Sequence, residues 1–112
     1  MELTSSQQDA LQVVAVNDAR IDAAVAIEFK DAMREKTDGG SDVVVLDLSV
    51  VEFIDSSGLG AIVASMKNMG KGRTLALAGL TPTVEKVFRL TRMDSVFPVY
   101  PTLEGALDNL KN

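Results

Sequence analysis

A chain of 112 residues, 46% hydrophobic and 24% charged, has the size and composition of one folded domain and not of a disordered segment. Its net charge of −5 at pH 7 argues against nucleic acid and anionic membrane as partners. With no cysteine and no histidine, disulfides, thiolate chemistry, zinc–sulfur sites, imidazole ligands and a Ser-His-Asp triad are excluded. The N-terminal stretch MELTSSQQDALQ has no basic region leading into an apolar core. No apolar run approaches the ~20 residues that span a bilayer. The expectation is a cytoplasmic protein with one domain over residues 1–112.

Met1 to Thr4 reads as a short strand and Ser5 to Asp9 as a polar turn. Ala10 to Val16 reads as a strand, with a loop over Asn17 to Arg20. Asp22 is placed to cap a helix running to about Lys36, with Val25, Phe29, Ala32 and Met33 on one stripe. Asp38-Gly39-Gly40 ends that helix, because glycine tolerates the left-handed backbone past a helix terminus. Val43 to Leu48 is almost purely apolar, the mark of a strand covered on both faces. Asp55-Ser56-Ser57-Gly58 follows, a run of residue types that cap a helix start. Beyond it Leu59, Ile62, Val63, Met66 and Met69 recur at steps of three and four, one helical stripe. Gly70-Lys71-Gly72 closes this helix and Thr74 to Ala78 is a third apolar strand. Thr81-Pro82 opens a helix with Val84, Val87, Phe88 and Thr91 on one face. Val96 to Tyr100 is extended, and Pro98 and Pro101 point to a sheet edge. Thr102 opens a last helix with Leu103, Ala106, Leu107 and Leu110 on one face. Strands alternating with helices predict an α/β domain: a mixed, mostly parallel sheet with helices packed against it.

The chemistry concentrates at Asp55-Ser56-Ser57-Gly58. This turn puts an exposed hydroxyl on a helix N-terminus at the carboxyl end of a strand, where open α/β sheets carry function. In its plainest reading the turn only caps the helix. As a switch, a phosphate on Ser56 adds about −1.5 to −2 charges. Backbone N–H groups at the helix start can hold it, so the fold is spared and a docked partner is repelled. A hydrolase nucleophile lacks a histidine base, and the G-x-S-x-G elbow is absent because Ile54 and Asp55 precede Ser56. Asp18, Asp22, Asp47 and Asp55 offer a second alternative, a magnesium-dependent aspartyl phosphate on Asp47. Asn17-Asp18 and Asp47 faintly resemble a response-regulator receiver. The Lys-Pro pair expected late in a receiver is missing, and Asp47 lies inside the apolar strand pattern. Met33, Met66, Met69 and Met93 read as core filling or docking surface. Gly70-Lys71-Gly72 does not match a phosphate loop.

Val51 to Gly60, with Asp55-Ser56-Ser57-Gly58-Leu59 at its centre, resembles the D-S-[ST]-G-L signature of the STAS domain in its single-domain bacterial form, the anti-sigma factor antagonists. The tail is similar too, at Val87–Thr91, Val96–Pro98 and Leu103–Leu107. The resemblance implies a binding protein and not an enzyme. The serine directly after the aspartate, Ser56, would be phosphorylated by a partner that is both anti-sigma factor and serine kinase. The unmodified form would bind that partner and free a sigma factor, and a serine phosphatase would reset the modified form. ATP and magnesium would belong to the kinase; the chain itself takes no cofactor and no metal. Asp22 and Ile21 match an acidic and an aliphatic position of the family's G-x-[LI]-D pattern, with Ala19 in place of the glycine. Arg92 stands where another glycine is usual. Asp55 and Ser57 would shape the turn, and Gly58 and Gly60 would admit the kinase. Asp22, Leu59, Ile62 and Met66 would face the partner. The alternative within the family is a constitutive scaffold or transport-complex subunit in which Ser56 is only a cap.

Overall fold

The computed structural model describes residues 1–111. In chain order the elements are β1 (Leu3–Gln8), β2 (Leu11–Val16), β3 (Arg20–Ile21), α1 (Ala26–Thr37), β4 (Val43–Asp47), β5 (Phe53–Ile54) and α2 (Ser56–Met69). There follow β6 (Thr74–Ala78), α3 (Pro82–Leu90), a 3-10 turn (Met93–Ser95), β7 (Val99–Tyr100) and α4 (Leu103–Leu110). The main sheet has the order β1-β2-β4-β6-β7. β1 runs antiparallel to β2, and the other pairings are parallel. This is the mixed, mostly parallel sheet with packed helices that the alternation of elements predicts.

The apolar runs are continuous because both faces of the central strands are covered. On one face Val14, Val16, Val44, Leu46, Leu75 and Leu77 meet the buried stripes of three helices. Those stripes are Phe29 and Met33 of α1, Ile62 and Met69 of α2, and Val84 and Phe88 of α3. On the other face Val13, Val45, Ala76 and Ala78 meet Ala106 of α4, flanked by Leu103, Leu107 and Leu110. Alternation along a strand sends neighbouring residues to opposite layers, so Val44 and Val45 belong to different cores.

Several expectations change. The N-terminal strand extends through the predicted turn: β1 pairs with β2 from Leu3 opposite Val16 to Gln8 opposite Leu11. The reversal falls at Asp9, in the left-handed region at φ 57°. Asp tolerates that geometry better than most residues. Only Leu3 of β1 is buried, so an edge strand built from Ser and Gln carries no apolar period. Asp22 does not cap α1, whose cap position is Val25, with no side-chain bond. Asp22 Oδ1 instead accepts from the Ala24 N–H at 3.2 Å, closing the turn before the helix. β3 and β5 form a separate parallel ribbon of two residue pairs, too short to show a period. Of the predicted Val96–Tyr100 segment only Val99 and Tyr100 pair as a strand.

The buried face of α2 is Gly58, Ala61, Ile62, Ser65 and Met69. It is rotated from the expected stripe, leaving Leu59, Val63 and Met66 half-buried at its flank. The small residues let α2 lie close to its neighbours. The buried Ser65 hydroxyl donates to the Ala61 carbonyl at 2.8 Å, so no polar group is stranded.

Candidate functional site

The carboxyl ends of the strands are where α1, α2 and α3 begin, and the predicted acceptor turn lies there. Asp55 is extended, at φ −107° and ψ −175°, and caps α2. Its Oδ1 accepts from the Gly58 N–H at 2.8 Å. Its Oδ2 accepts from the Ala23 N–H at 3.1 Å. One carboxylate therefore closes the helix start and pins the loop before α1 to it. The Gly58 N–H holds the Asp55 carboxyl below the usual carboxylate range; partial desolvation opposes this, and the Ala23 and Ser57 N–H groups add to it.

Ser56 and Ser57 are the first two residues of α2, and both are exposed. Gly58 is buried, and a Cβ there would overlap the Ile21 carbonyl oxygen. Only glycine lets the helix start sit this close to β3. A Cβ on Gly60 would meet nothing, and Gly60 is exposed. The two glycines thus differ: Gly58 serves a close backbone approach and offers no surface, whereas Gly60 leaves open space beside the serines.

The ribbon of β3 and β5 frames the turn. The Ala19 carbonyl accepts from the N–H groups of Glu52 at 2.7 Å and Phe53 at 3.1 Å. The Ile21 carbonyl accepts from the Asp55 N–H at 3.4 Å. Ala19 acts through its backbone, so exchanging the family's glycine for alanine leaves the ribbon intact. Arg20, opposite Phe53, stacks its guanidinium 4.3 Å from the ring centroid and donates from Nε to Asp22 Oδ2 at 3.1 Å. Three large apolar side chains stand exposed at the starts and connections of these elements: Ile27 at 72%, Val50 at 50% and Phe53 at 37%.

Asp22, Asp55, Ser56, Ser57 and Gly58 are brought together at the junctions β3–α1 and β5–α2. Leu59 and Met66 lie half-buried on α2 and Gly60 is exposed there. Ile62 corrects its expected place on a partner-facing surface: it is 0% exposed, inside the core. An i, i+3, i+4 stripe does not separate the buried centre of a helix face from its rim. Arg20, Phe53 and Ala23 were not singled out from the sequence. The Arg-x-Asp spacing at Arg20 and Asp22 was the available signal, because alternate residues of an extended segment share a side.

Asp47 ends β4, and its Oδ1 accepts from the Ser49 N–H at 3.0 Å, a local turn bond. Among the described residues no group of three or more carboxylates is placed to hold a metal ion. Arg92 adopts left-handed backbone at φ 61° just before the 3-10 turn, the geometry that the glycine usual at this position suits. No helix among the described residues is long and apolar enough to cross a membrane.

The family model of the STAS domain matches residues 4–106. BtrV of Bordetella bronchiseptica, named as an anti-sigma factor antagonist, is 29% identical across 95% of this chain and 91% of its own length. The anti-sigma-F factor antagonist RsfB of Mycobacterium tuberculosis is 24% identical across 97% of this chain and 88% of its own. The crystal structure of an anti-sigma factor antagonist from Mycobacterium paratuberculosis superposes with a TM-score of 0.88 at 30% identity. That match covers 99% of this chain and 94% of the other. With its signature turn on the first residues of α2 and its family model matched nearly end to end, the chain belongs to the STAS domain family.

Proposed function

We propose that this protein is an anti-sigma factor antagonist switched by phosphorylation of Ser56. Unmodified, it binds an anti-sigma factor that is also a serine kinase, and the bound sigma factor is released. Phosphorylated, it lets the partner go, and a serine phosphatase resets it. It contributes no catalytic group; ATP and magnesium belong to the kinase. It acts in the cytoplasm, where the sigma factor does. The relatives named as anti-sigma factor antagonists support the role.

The observation that carries the reading is the exposed Ser56 on a helix start held from two sides by Asp55. The hydroxyl can be modified with no core residue displaced, so the phosphate acts on the docked partner and not on the fold. Taking a complex from almost all bound to almost all free needs ~5.5 kcal/mol. A dianion set against an acidic or apolar partner surface costs several kcal/mol, the required size. The docking surface comprises Asp22, Asp55, Ser57, Leu59, Gly60 and Met66, with Ile27, Val50 and Phe53 as its apolar part. Gly58 and Ile62 support it from below.

The test is capture of partners from the source cell's lysate by wild type, Ser56→Ala and Ser56→Asp, with mass spectrometry of what is retained. Wild type and Ser56→Ala should retain an ATP-binding serine kinase, and Ser56→Asp should lose it by tenfold or more. Equal retention of one partner by all three overturns the switch and makes Ser56 a structural cap on a scaffold.

A further inference from the structure

Arg20 has no part in the reading above, yet its surroundings are unusual for a surface arginine. The acceptor turn is built from two segments, 17–25 and 48–60. Arg20 is the sole basic residue in them, against Asp18, Asp22, Glu52 and Asp55. Within these two segments the one charge that can compensate a phosphate on Ser56 is therefore this guanidinium. Its present bond to Asp22 is replaceable, because the Arg20 side chain is 61% exposed and surface ion pairs are weak and screened. A phosphate dianion offers more charge than a carboxylate, and the planar fork matches its oxygens two at a time. Phe53, opposite Arg20 in the ribbon and three residues before Ser56, holds the guanidinium on its ring face at 4.3 Å. That contact survives a turn of the fork.

The other end of the arrangement is the loop before α1. Asp22 has one oxygen on Arg20 and the other on the Ala24 N–H, while the adjacent Ala23 N–H is held by Asp55. Removing Arg20 from Asp22 frees one of the two ties on that carboxylate.

We propose that Arg20 is the receiver of a phosphate on Ser56: it leaves Asp22, pairs with the phosphate while still seated on Phe53, and so carries the modification of α2 to the Asp22 loop. This inference rests on Ser56 being the acceptor. Both docking elements then change together, the helix start by its new charge and the loop by loss of its ion pair. Arg20 is a positioning residue, acting on the loop through Asp22.

Phosphoserine inserted at position 56 during translation tests this without kinase or partner. The outcome thus stands apart from whether the cell modifies Ser56, which the lysate capture addresses. The readouts are the NMR signals of the Arg20 Nε–H and the Ala24 backbone N–H, with serine or phosphoserine at 56 and with Arg20 or Arg20→Gln. Phosphoserine should shift both signals when Arg20 is present. Arg20→Gln alone should move Ala24 in the same direction, and phosphoserine should then add less than half of the original Ala24 shift. An Arg20 Nε–H unmoved by phosphoserine overturns the proposal, as does an Ala24 shift of equal size with and without Arg20. Should Arg20→Gln not fold, the Arg20 Nε–H of the otherwise unaltered chain decides alone.

Discussion

Gly58 and Gly60 lie two residues apart in the same helical turn, and the same substitution should act on them with opposite sign. Alanine is the better helix former by about 1 kcal/mol, and at Gly60 nothing opposes that gain because the added Cβ meets open space. Gly60→Ala should stabilise the protein by roughly 0.5–1 kcal/mol. At Gly58 the Cβ runs into the Ile21 backbone carbonyl, which cannot move without opening the ribbon. Gly58→Ala should cost about 2 kcal/mol or more, at the upper part of the range for overpacking. Urea unfolding midpoints of the two variants check both signs. Asp55 supports a pH prediction. Its folded-state pKa lies below the ordinary value of 3.8, so its contribution is fully present above that value. It is lost as pH falls through the lower, folded-state pKa. Asp55→Asn removes this titration, so unfolding curves should lose less stability below pH 4 in the variant than in wild type. An equal acid loss in both proteins would assign the acid limb to other carboxylates.

Among the elements, the 3-10 turn after α3 carries an avoidable cost. Arg92 holds left-handed backbone at φ 61°, a geometry costing a side-chain-bearing residue ~1–2 kcal/mol. Glycine has no such penalty but loses ~0.5–1 kcal/mol more in conformational entropy on folding. Arg92→Gly should therefore raise stability by about 0.5 kcal/mol, read as a small rise in the thermal midpoint. The helices show how element ends were legible to different degrees. Asp55 caps α2 as its position implied, and Thr102 caps α4 through the Gly105 N–H at 3.0 Å. Asp22 looked like the same device but closes a turn one step earlier. A capping residue type marks a place where orphan N–H groups need a partner, and a tight turn has such groups as well as a helix.

For the whole molecule, the apolar runs were enough to read the central strands and their order of alternation with helices. Burial on both faces leaves an unmistakable composition at Val43–Asp47 and Thr74–Ala78. The edge was not legible, because β1 buries only Leu3 and is held by backbone pairing with β2. Pairing of that kind leaves little trace in side-chain pattern. The serine turn was visible as a local motif. Its frame was not, since Arg20 and Ala23 reach it from a segment some thirty residues earlier. The mistaken placing of Ile62 has the same root: periodicity identifies the face of α2, and only the packing of α1 and the sheet decides which part of it stays open.

The ribbon that frames the turn has only two residue pairs, with Ile21 and Ile54 anchored in the core and Arg20 and Phe53 exposed, whereas the central strands of the main sheet are covered on both faces. Local opening free energies follow that difference in buried contacts. The exposed half of the ribbon and the loop tied to Asp55 should therefore exchange their amide hydrogens with solvent faster than the central strands. Two layers of durability are expected, a slowly exchanging central sheet and a faster-exchanging acceptor turn above it. A partner that binds the closed ribbon slows that exchange and stabilises the surface without any change in the core.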